Sequence, residues 1–262
     1  METVPEFQRF VAMGDSQTEG VGDPTGPGGT ERGWADRFAE EMAARQGSLL
    51  YANLAVRGRR IAEIEEEQLD ITLAMEPDLV SLIAGLNDVI RPGCDVDAVL
   101  ARMDSMQSRL AATGTTILTI TYPDPAGMSP VGRLLSEATI RFNEGLREVA
   151  ARHGALLLDI DEFETSVDER LWCDDRLHLN SEGHRRLARG MASLVDPEVS
   201  DSEWLEDLEP IDQRPLAHRL AGEARWAGAF LAPWIWRRLT GKSSGDGRVA
   251  KRPELSPVAE SA

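Results

Sequence analysis

Two short polar segments near opposite ends of the chain carry the groups that nucleophilic acyl transfer needs. Residues 14–20 present Ser16 directly after an apolar run, and residues 175–178 read Asp-Arg-Leu-His. A serine hydroxyl is a weak nucleophile until a base within hydrogen-bond reach takes its proton, and His178 is suited to that task near pH 7. Asp175 can hold the imidazole in its productive tautomer and stabilise the imidazolium. The pattern predicts Ser16, His178 and Asp175 as nucleophile, base and orienting carboxylate.

Each segment taken alone has a plainer interpretation. A serine after a Gly-Asp turn is usually a helix cap, and an isolated Asp-x-x-His is usually a surface loop. His184 is the other candidate base in the same stretch, but it falls inside a predicted helix and is expected to be packed or capping. His153 and His218 have no neighbouring residues in the sequence that suggest catalysis.

Acyl transfer also requires hydrogen-bond donors where the tetrahedral oxyanion forms. The side-chain amide of Asn87 and the backbone N–H groups of Ser16 and Gly58 are suited to that role. Glycine at position 58 allows close approach of the backbone. A loop asparagine and a turn glycine are the alternatives for Asn87 and Gly58. We expect the three donors to form an oxyanion hole.

The elements that must position these residues alternate along the chain. Short apolar runs typical of buried strands alternate with longer segments of helical spacing, which indicates a parallel sheet covered on both faces. In such sheets ligands bind beyond the carboxyl ends of the strands, where the polar residues above are found. The predicted strands are Phe10–Met13, Leu49–Leu54, Leu79–Ala84, Ile117–Tyr122 and Ala155–Ile160, and the predicted helices are Trp34–Arg45, Ile61–Ala74, Val96–Ala112, Leu134–His153 and Glu182–Leu194.

Four blocks of the sequence, in order, resemble those of the SGNH hydrolases, also called GDSL hydrolases. Gly14-Asp15-Ser16 is similar to the first block, although Gln17 stands where the GDSL motif has leucine. The other three are residues 53–58, 85–88 and 175–178, with the sequences Asn-Leu-Ala-Val-Arg-Gly, Gly-Leu-Asn-Asp and Asp-Arg-Leu-His. The resemblance covers roughly Phe10 to Leu194.

This resemblance implies a fold, a reaction and a set of roles. The implied fold is α/β, a flavodoxin-like three-layer α/β/α arrangement around a parallel five-stranded sheet. The implied reaction is hydrolysis of small-molecule esters or thioesters, with no metal and no cofactor. The triad follows the chain order Ser16, Asp175, His178, and Asp15 and Asp88 act as supports rather than as acid or base. A binding module that keeps the fold without turnover is the alternative from another class.

The composition sets limits on the remaining functions. The chain has 262 residues and a formal net charge of -17, which disfavours binding to nucleic acid. No stretch approaches the length of an apolar membrane span, and residues 1–7 lack the features of a signal peptide, so a cytoplasmic location is expected. Cys94 and Cys173 are expected to be free thiols.

We expect three parts along the chain: a hydrolase domain over residues 1–197, an acidic linker and amphipathic helical extension over 198–241, and a disordered tail over 242–262. From residue 214 onward nine Lys or Arg face four Asp or Glu, against the acidic balance of the rest. The extension carries Trp226 and Phe230 at helical spacing. Docking of this extension on its own domain or a second subunit is favoured over binding to an anionic membrane.

Overall fold

The computed structural model describes residues 6–129, 132–199, 208–209, 222, 225–233 and 244–258. These residues contain a six-stranded sheet in the order β5-β4-β3-β1-β2-β6. Strands β1 to β5 pair in parallel, as predicted, and their order 2-1-3-4-5 is that of the flavodoxin-like fold. The strands are β1 Arg9–Gly14, β2 Leu50–Asn53, β3 Leu79–Ile83, β4 Thr116–Ile120, β5 Leu156–Leu158 and β6 Arg252–Pro257.

Helices cover both faces of the sheet and confirm the predicted three-layer α/β/α class. Helix α2 packs on α8, and α6 packs on both α7 and α3. The helices are α1 Ser16–Glu19, α2 Gly33–Gln46, α3 Ile61–Ile64, α4 Asp70–Ala74, α5 Leu86–Val89, α6 Val96–Ala111, α7 Arg133–His153 and α8 Ser181–Val195. A π-helical turn, Glu65–Leu69, joins α3 to α4 within the helix predicted over Ile61–Ala74.

The apolar runs form strands because both of their faces are covered. In β1, Phe10 to Met13 are fully buried, and every residue of β3 is buried. The ring of Phe10 stacks on the ring of Tyr51 of β2 with a centroid distance of 5.2 Å. It also meets the ring of Phe38 of α2 edge-on, with a centroid distance of 5.0 Å. Side chains from two layers therefore meet on the strand that leads into Ser16.

The expected disorder of residues 242–262 is wrong for their central part. Strand β6 pairs antiparallel with β2, so the sheet has a sixth strand beyond the five predicted. Arg252 lies over the ring of Tyr51 at 5.1 Å and donates to its backbone carbonyl at 2.9 Å. Lys251 pairs with Asp36 at 2.8 Å. The unpaired backbone of an edge strand and these long-range contacts order a segment whose own composition indicates disorder.

The helical extension is described only in part. Residues 225–233 are helical and include a π-helical turn, Ala227–Leu231, whereas Trp234 and most of 198–224 lie outside the described residues. Among the residues that the structure describes, no helix has both the length and the apolar character to cross a bilayer. Cys94 and Cys173 are free thiols, as expected.

Replacing Gln107 of α6 by leucine is expected to stabilise the fold. Gln107 is fully buried, and neither atom of its amide has a hydrogen-bond partner in the described part of the chain. An unsatisfied buried amide is destabilising, so Gln107→Leu should raise the free energy of unfolding by about 1–3 kcal/mol in urea denaturation. Gln68→Leu is the matched control, because both the oxygen and the nitrogen of the buried Gln68 amide are hydrogen-bonded and their loss should destabilise. A Gln107→Leu variant less stable than the parent would contradict the expectation.

Candidate active site

The nucleophile candidate lies where β1 gives way to α1. Gly14 ends the strand with φ +150°, and a Cβ at this position would lie 2.4 Å from the carbonyl oxygen of Ile83, so only glycine fits without displacement. The buried amide of Gln68 accepts from Gly14 N and donates to Gly14 O, each at 2.9 Å. Gln68 belongs to the π-helical turn, a feature often found at functional sites. The chain therefore leaves the sheet at a fixed point and presents Ser16, 8% exposed, at the first residue of α1.

Asp15 caps α1 and is buried. Its carboxylate accepts from the backbone N–H of Gln17 at 3.3 Å and from the side-chain amide of Asn87 at 2.9 Å. Burial raises the pKa of Asp15 to about 6, although the hydrogen bond from Gln17, the attraction of His178 and the hydrogen bond from Asn87 act in the opposite direction. Asp15 is thus a structural acceptor whose charge is only partly stabilised by its surroundings.

Hydrogen bonds join the residues that follow β3 to those that follow β1 and β2. Asn87, in α5, uses both hydrogens of its amide, one on Asp15 at 2.9 Å and one on the carbonyl of Arg59 at 3.1 Å. Asp88 accepts from the backbone N–H of Ile61 at 2.9 Å, and burial raises the pKa of Asp88. Asp15 and Asp88 thus each accept a hydrogen bond from a residue that follows another strand.

The second loop leaves β2 at Asn53 and is held against α1. The buried Asn53 amide donates to the carbonyl of Thr18 at 2.8 Å and to the hydroxyl of Tyr51 at 2.9 Å, while its oxygen accepts from Ala55 N at 3.1 Å. Further along, the backbone N–H of Arg57 donates to Glu19 at 2.6 Å. Gly58 therefore follows directly after a residue, Arg57, that is hydrogen-bonded to α1, the helix that carries Ser16.

Asp175 and His178 form one compact turn, as their spacing predicts. The carboxylate of Asp175 accepts from Leu177 N at 2.9 Å, from His178 N at 3.0 Å and from the imidazole Nδ1 of His178 at 2.6 Å. Burial would raise the pKa of Asp175, but the hydrogen bonds and the attraction of His178 outweigh it and lower that pKa. With Nδ1 bonded to the carboxylate, Nε2 is the nitrogen left to exchange a proton with a substrate or a nucleophile.

Three contacts bring this turn to the other parts of the site. Gln17 of α1 donates through Nε2 to the carbonyl of Leu177 at 2.7 Å, and His178 lies close enough to Asp15 to lower the pKa of its carboxyl. From the extension, Trp226 donates through Nε1 to the carbonyl of Asp175 at 3.3 Å. In the described chain, no hydrogen bond joins Ser16 Oγ to His178; catalytic hydrogen bonds are often long before substrate binds.

Three side chains that make these contacts are not predicted as site residues from the sequence. Gln68 looks like one polar residue of a charged helix face, Gln17 like a departure from a motif, and Trp226 like part of an amphipathic stripe. The only available signal for Gln68 is its place beside Leu69 on the buried side of its helix. The partners of all three side chains are distant in the chain, so spacing alone does not reveal them.

Two of the remaining histidines, His184 and His153, are engaged by partners other than Asp175. His184 is fully buried, accepts from Trp34 N and donates to the carbonyl of Val21, each at 3.1 Å, and burial lowers its pKa to about 4. It is a packed residue. His153 pairs with Asp104 at 2.9 Å, and His218 lies outside the described residues. Across the described ranges, no group of three or more His, Cys, Asp or Glu has a metal-binding arrangement.

The sheet is doubly wound and carries a serine after β1, an asparagine after β3 and an Asp–His pair beyond its last parallel strand. This arrangement is that of serine hydrolases with an open α/β fold. The chain belongs to the GDSL-like lipase/acylhydrolase family, whose model matches residues 12–186. It is a serine hydrolase that acts on ester bonds.

Solved structures share this fold. An acetylxylan esterase from Geobacillus stearothermophilus, a catalytic mutant, matches with a TM-score of 0.61 and 18% identity over 77% of this chain and 97% of its own. The acetyl xylan esterase AlAXEase matches at 0.60 and 21%, over 72% of this chain and 100% of its own. TesA matches at 0.61 and 19%, over 72% and 99%. A comparison with curated proteins found no match.

The buried carboxyl of Asp15 should make stability depend on pH. Its pKa of about 6 lies above the ordinary value of 3.8, so the folded protein holds this proton more tightly than the unfolded chain. The stabilisation is fully present below about pH 4 and is lost as the pH rises through 6, by on the order of 3 kcal/mol. Because other groups cancel in the difference, the stability of Asp15→Asn relative to the parent should rise between pH 4 and 7. A difference in urea midpoints that stays flat over that range would contradict the assignment.

Proposed function

We propose that Ser16 is the nucleophile of a two-step ester hydrolysis in which His178 is the base and Asp175 orients it. The observation that carries this proposal is the 2.6 Å hydrogen bond between Asp175 and His178 Nδ1, on a turn bonded to the helix of Ser16. This bond fixes the tautomer that leaves Nε2 free to accept the hydroxyl proton. In this proposal the hydrogen bond between Ser16 Oγ and His178 Nε2 closes when substrate binds.

The chemistry then follows the order of proton transfers. Ser16 Oγ attacks the ester carbonyl while His178 Nε2 takes its proton, and the resulting imidazolium gives that proton to the leaving alcohol. The product of this step is an acyl ester on Ser16. Water, deprotonated by His178, attacks that ester, and the proton returns to Ser16 as the acid departs. Asp175 keeps its negative charge throughout, in line with its lowered pKa.

The oxyanion hole in this proposal has three donors. The backbone N–H of Ser16 is among the first amides of α1 and has no intrahelical acceptor. Gly58 offers its N–H from the loop fixed to the same helix. The amide of Asn87 donates to Asp15 and Arg59 here, so it would exchange one of these partners for the oxyanion. Asp15 and Asp88 support the loops that carry the donors.

The proposed substrates are carboxylic esters with a short acyl or acetyl group, on a lipid or an acetylated sugar. The names of two structural neighbours, both acetyl xylan esterases, support an acetyl ester for this chain. Acyl thioesters are the second candidate class, because the same attack and the same donors serve them. A non-catalytic binding module on this fold is the third, and the bonded Asp175–His178 pair argues against it.

Ser16→Ala is expected to abolish turnover while the fold is retained. Loss of the nucleophile should lower kcat on short p-nitrophenyl esters by at least about 10³-fold and prevent labelling by a fluorophosphonate probe. The matched control is Ser81→Ala, since Ser81 is buried in β3 and its hydroxyl has no partner among the described residues. Equal rates for Ser16→Ala and the parent would refute the proposal, and a parent inactive on ester and thioester panels and unlabelled would favour the binding module.

We also propose that the basic extension docks on its own domain rather than on a membrane. The contact between Trp226 and the carbonyl of Asp175 supports docking, and Arg176 lies over the Trp226 ring at 5.0 Å. Both contacts join the Trp226 side chain to the turn that holds Asp175. The protein should therefore remain in the supernatant when anionic liposomes are sedimented at low salt, and co-sedimentation that salt reverses would argue for the membrane.

A further inference from the structure

The turn of residues 175–178 is closed on its own inner side. Asp175 accepts from the N–H groups of Leu177 and His178, and the carbonyl of His178 accepts from Cys173 N at 2.8 Å. Arg176 adopts φ +55°, a left-handed conformation that is uncommon for a residue with a side chain. The internal bonds leave the carbonyls of Asp175 and Leu177 facing the rest of the protein.

Both of these carbonyls are met by a side-chain N–H from a distant part of the chain. Gln17 Nε2 donates to Leu177 O at 2.7 Å across 160 residues, and Trp226 Nε1 donates to Asp175 O at 3.3 Å across 51. Trp226 also receives the guanidinium of Arg176 on its ring at 5.0 Å, a cation–π contact at the strained residue. The turn is held from the nucleophile helix on one side and from the extension on the other.

The bond made by Gln17 has a structural cost. Gln17 is 7% exposed, and its Oε1 is a buried acceptor with no hydrogen bond in the described part of the chain. A leucine, which the family motif has at this position, would avoid the orphaned acceptor but could not donate to Leu177. Gln17 thus lowers the stability of the fold through its orphaned oxygen, but its nitrogen joins the neighbour of Ser16 to Leu177, the neighbour of His178.

We propose that Gln17 and Trp226 are positioning residues for His178. They clamp the two outward carbonyls of its turn and so fix the distance and angle between the imidazole and Ser16. This inference rests on the proposed function, and it adds that the extension takes part in the geometry of the catalytic site. Neither side chain needs to touch the substrate, so the clamp acts on the rate of the chemical step rather than on substrate binding.

The test uses Gln17→Met and Trp226→Phe in the full chain. Each replacement removes the N–H donor and leaves an apolar side chain in its place, and a hydrogen bond lost in this way is typically worth a factor of about five to ten. Each single variant should lower kcat on short p-nitrophenyl esters by about that factor with KM changed less than about twofold, and the double variant should lose more than either. The far-downfield proton resonance of His178 Nδ1–H, which reports the bond to Asp175, should broaden or shift in both.

Two controls separate positioning from stability. Gln107→Met removes a buried amide that has no hydrogen bond to any residue the structure describes, and Trp172→Phe removes an indole donor that binds Ser166 O at 2.9 Å. Both should retain kcat and the His178 resonance whatever their melting temperatures. The same retention in Gln17→Met and Trp226→Phe, even with lowered stability, would overturn the clamp.

The outcomes also distinguish the two proposals. A parent that neither turns over esters nor reacts with a fluorophosphonate removes the proposed function, whereas the His178 resonance tests the clamp without turnover. An active parent with unaffected variants removes the clamp alone. Because Trp226 lies outside the buried core, Trp226→Phe keeps the test available if Gln17→Met fails to fold.

Discussion

The arrangement of the site depends on how β1 is made to stop. The buried amide of Gln68 pairs with both backbone groups of Gly14, as the backbone of a neighbouring strand would. At the same point the carbonyl of Ile83 on β3 lies too close for any side chain. Ser16 therefore leaves the sheet at a position set by two neighbouring elements, and a displaced β1 end would carry the nucleophile with it.

Two carboxyl groups of the site show how surroundings divide similar residues into different roles. Asp15 and Asp175 are both removed from water, which raises a carboxyl pKa. Asp175 is bonded to an imidazole that can carry positive charge, and its pKa ends below the ordinary value. Asp15 is bonded chiefly to neutral amides, and its pKa ends above it. Asp175 is suited to stabilise an imidazolium, and Asp15 is suited to accept hydrogen bonds from loops.

Local information in the sequence accounts for the sheet and for the residues that follow its strands. Apolar runs predict β1 to β5 because burial on both faces favours apolar side chains, and Asp175 and His178 meet because their spacing closes one turn. Long-range partners are not encoded in this way. The links from Gln17 to Leu177 and from Asn87 to Asp15 span 160 and 72 residues, and each depends on the packed sheet that brings them together. The same holds for β6, whose order depends on Tyr51 and Asp36 rather than on its own composition.

The sixth strand also bears on how copies of this protein meet. Without β6, the backbone of β2 would be an open edge, and Leu50 would stand beside unpaired N–H and C=O groups that another chain could extend. β6 replaces that edge with one in which two of six residues, Pro253 and Pro257, have no N–H to donate. In the part of the chain that the structure describes, β6 is therefore an edge with fewer donors, which disfavours addition of a strand from a second copy.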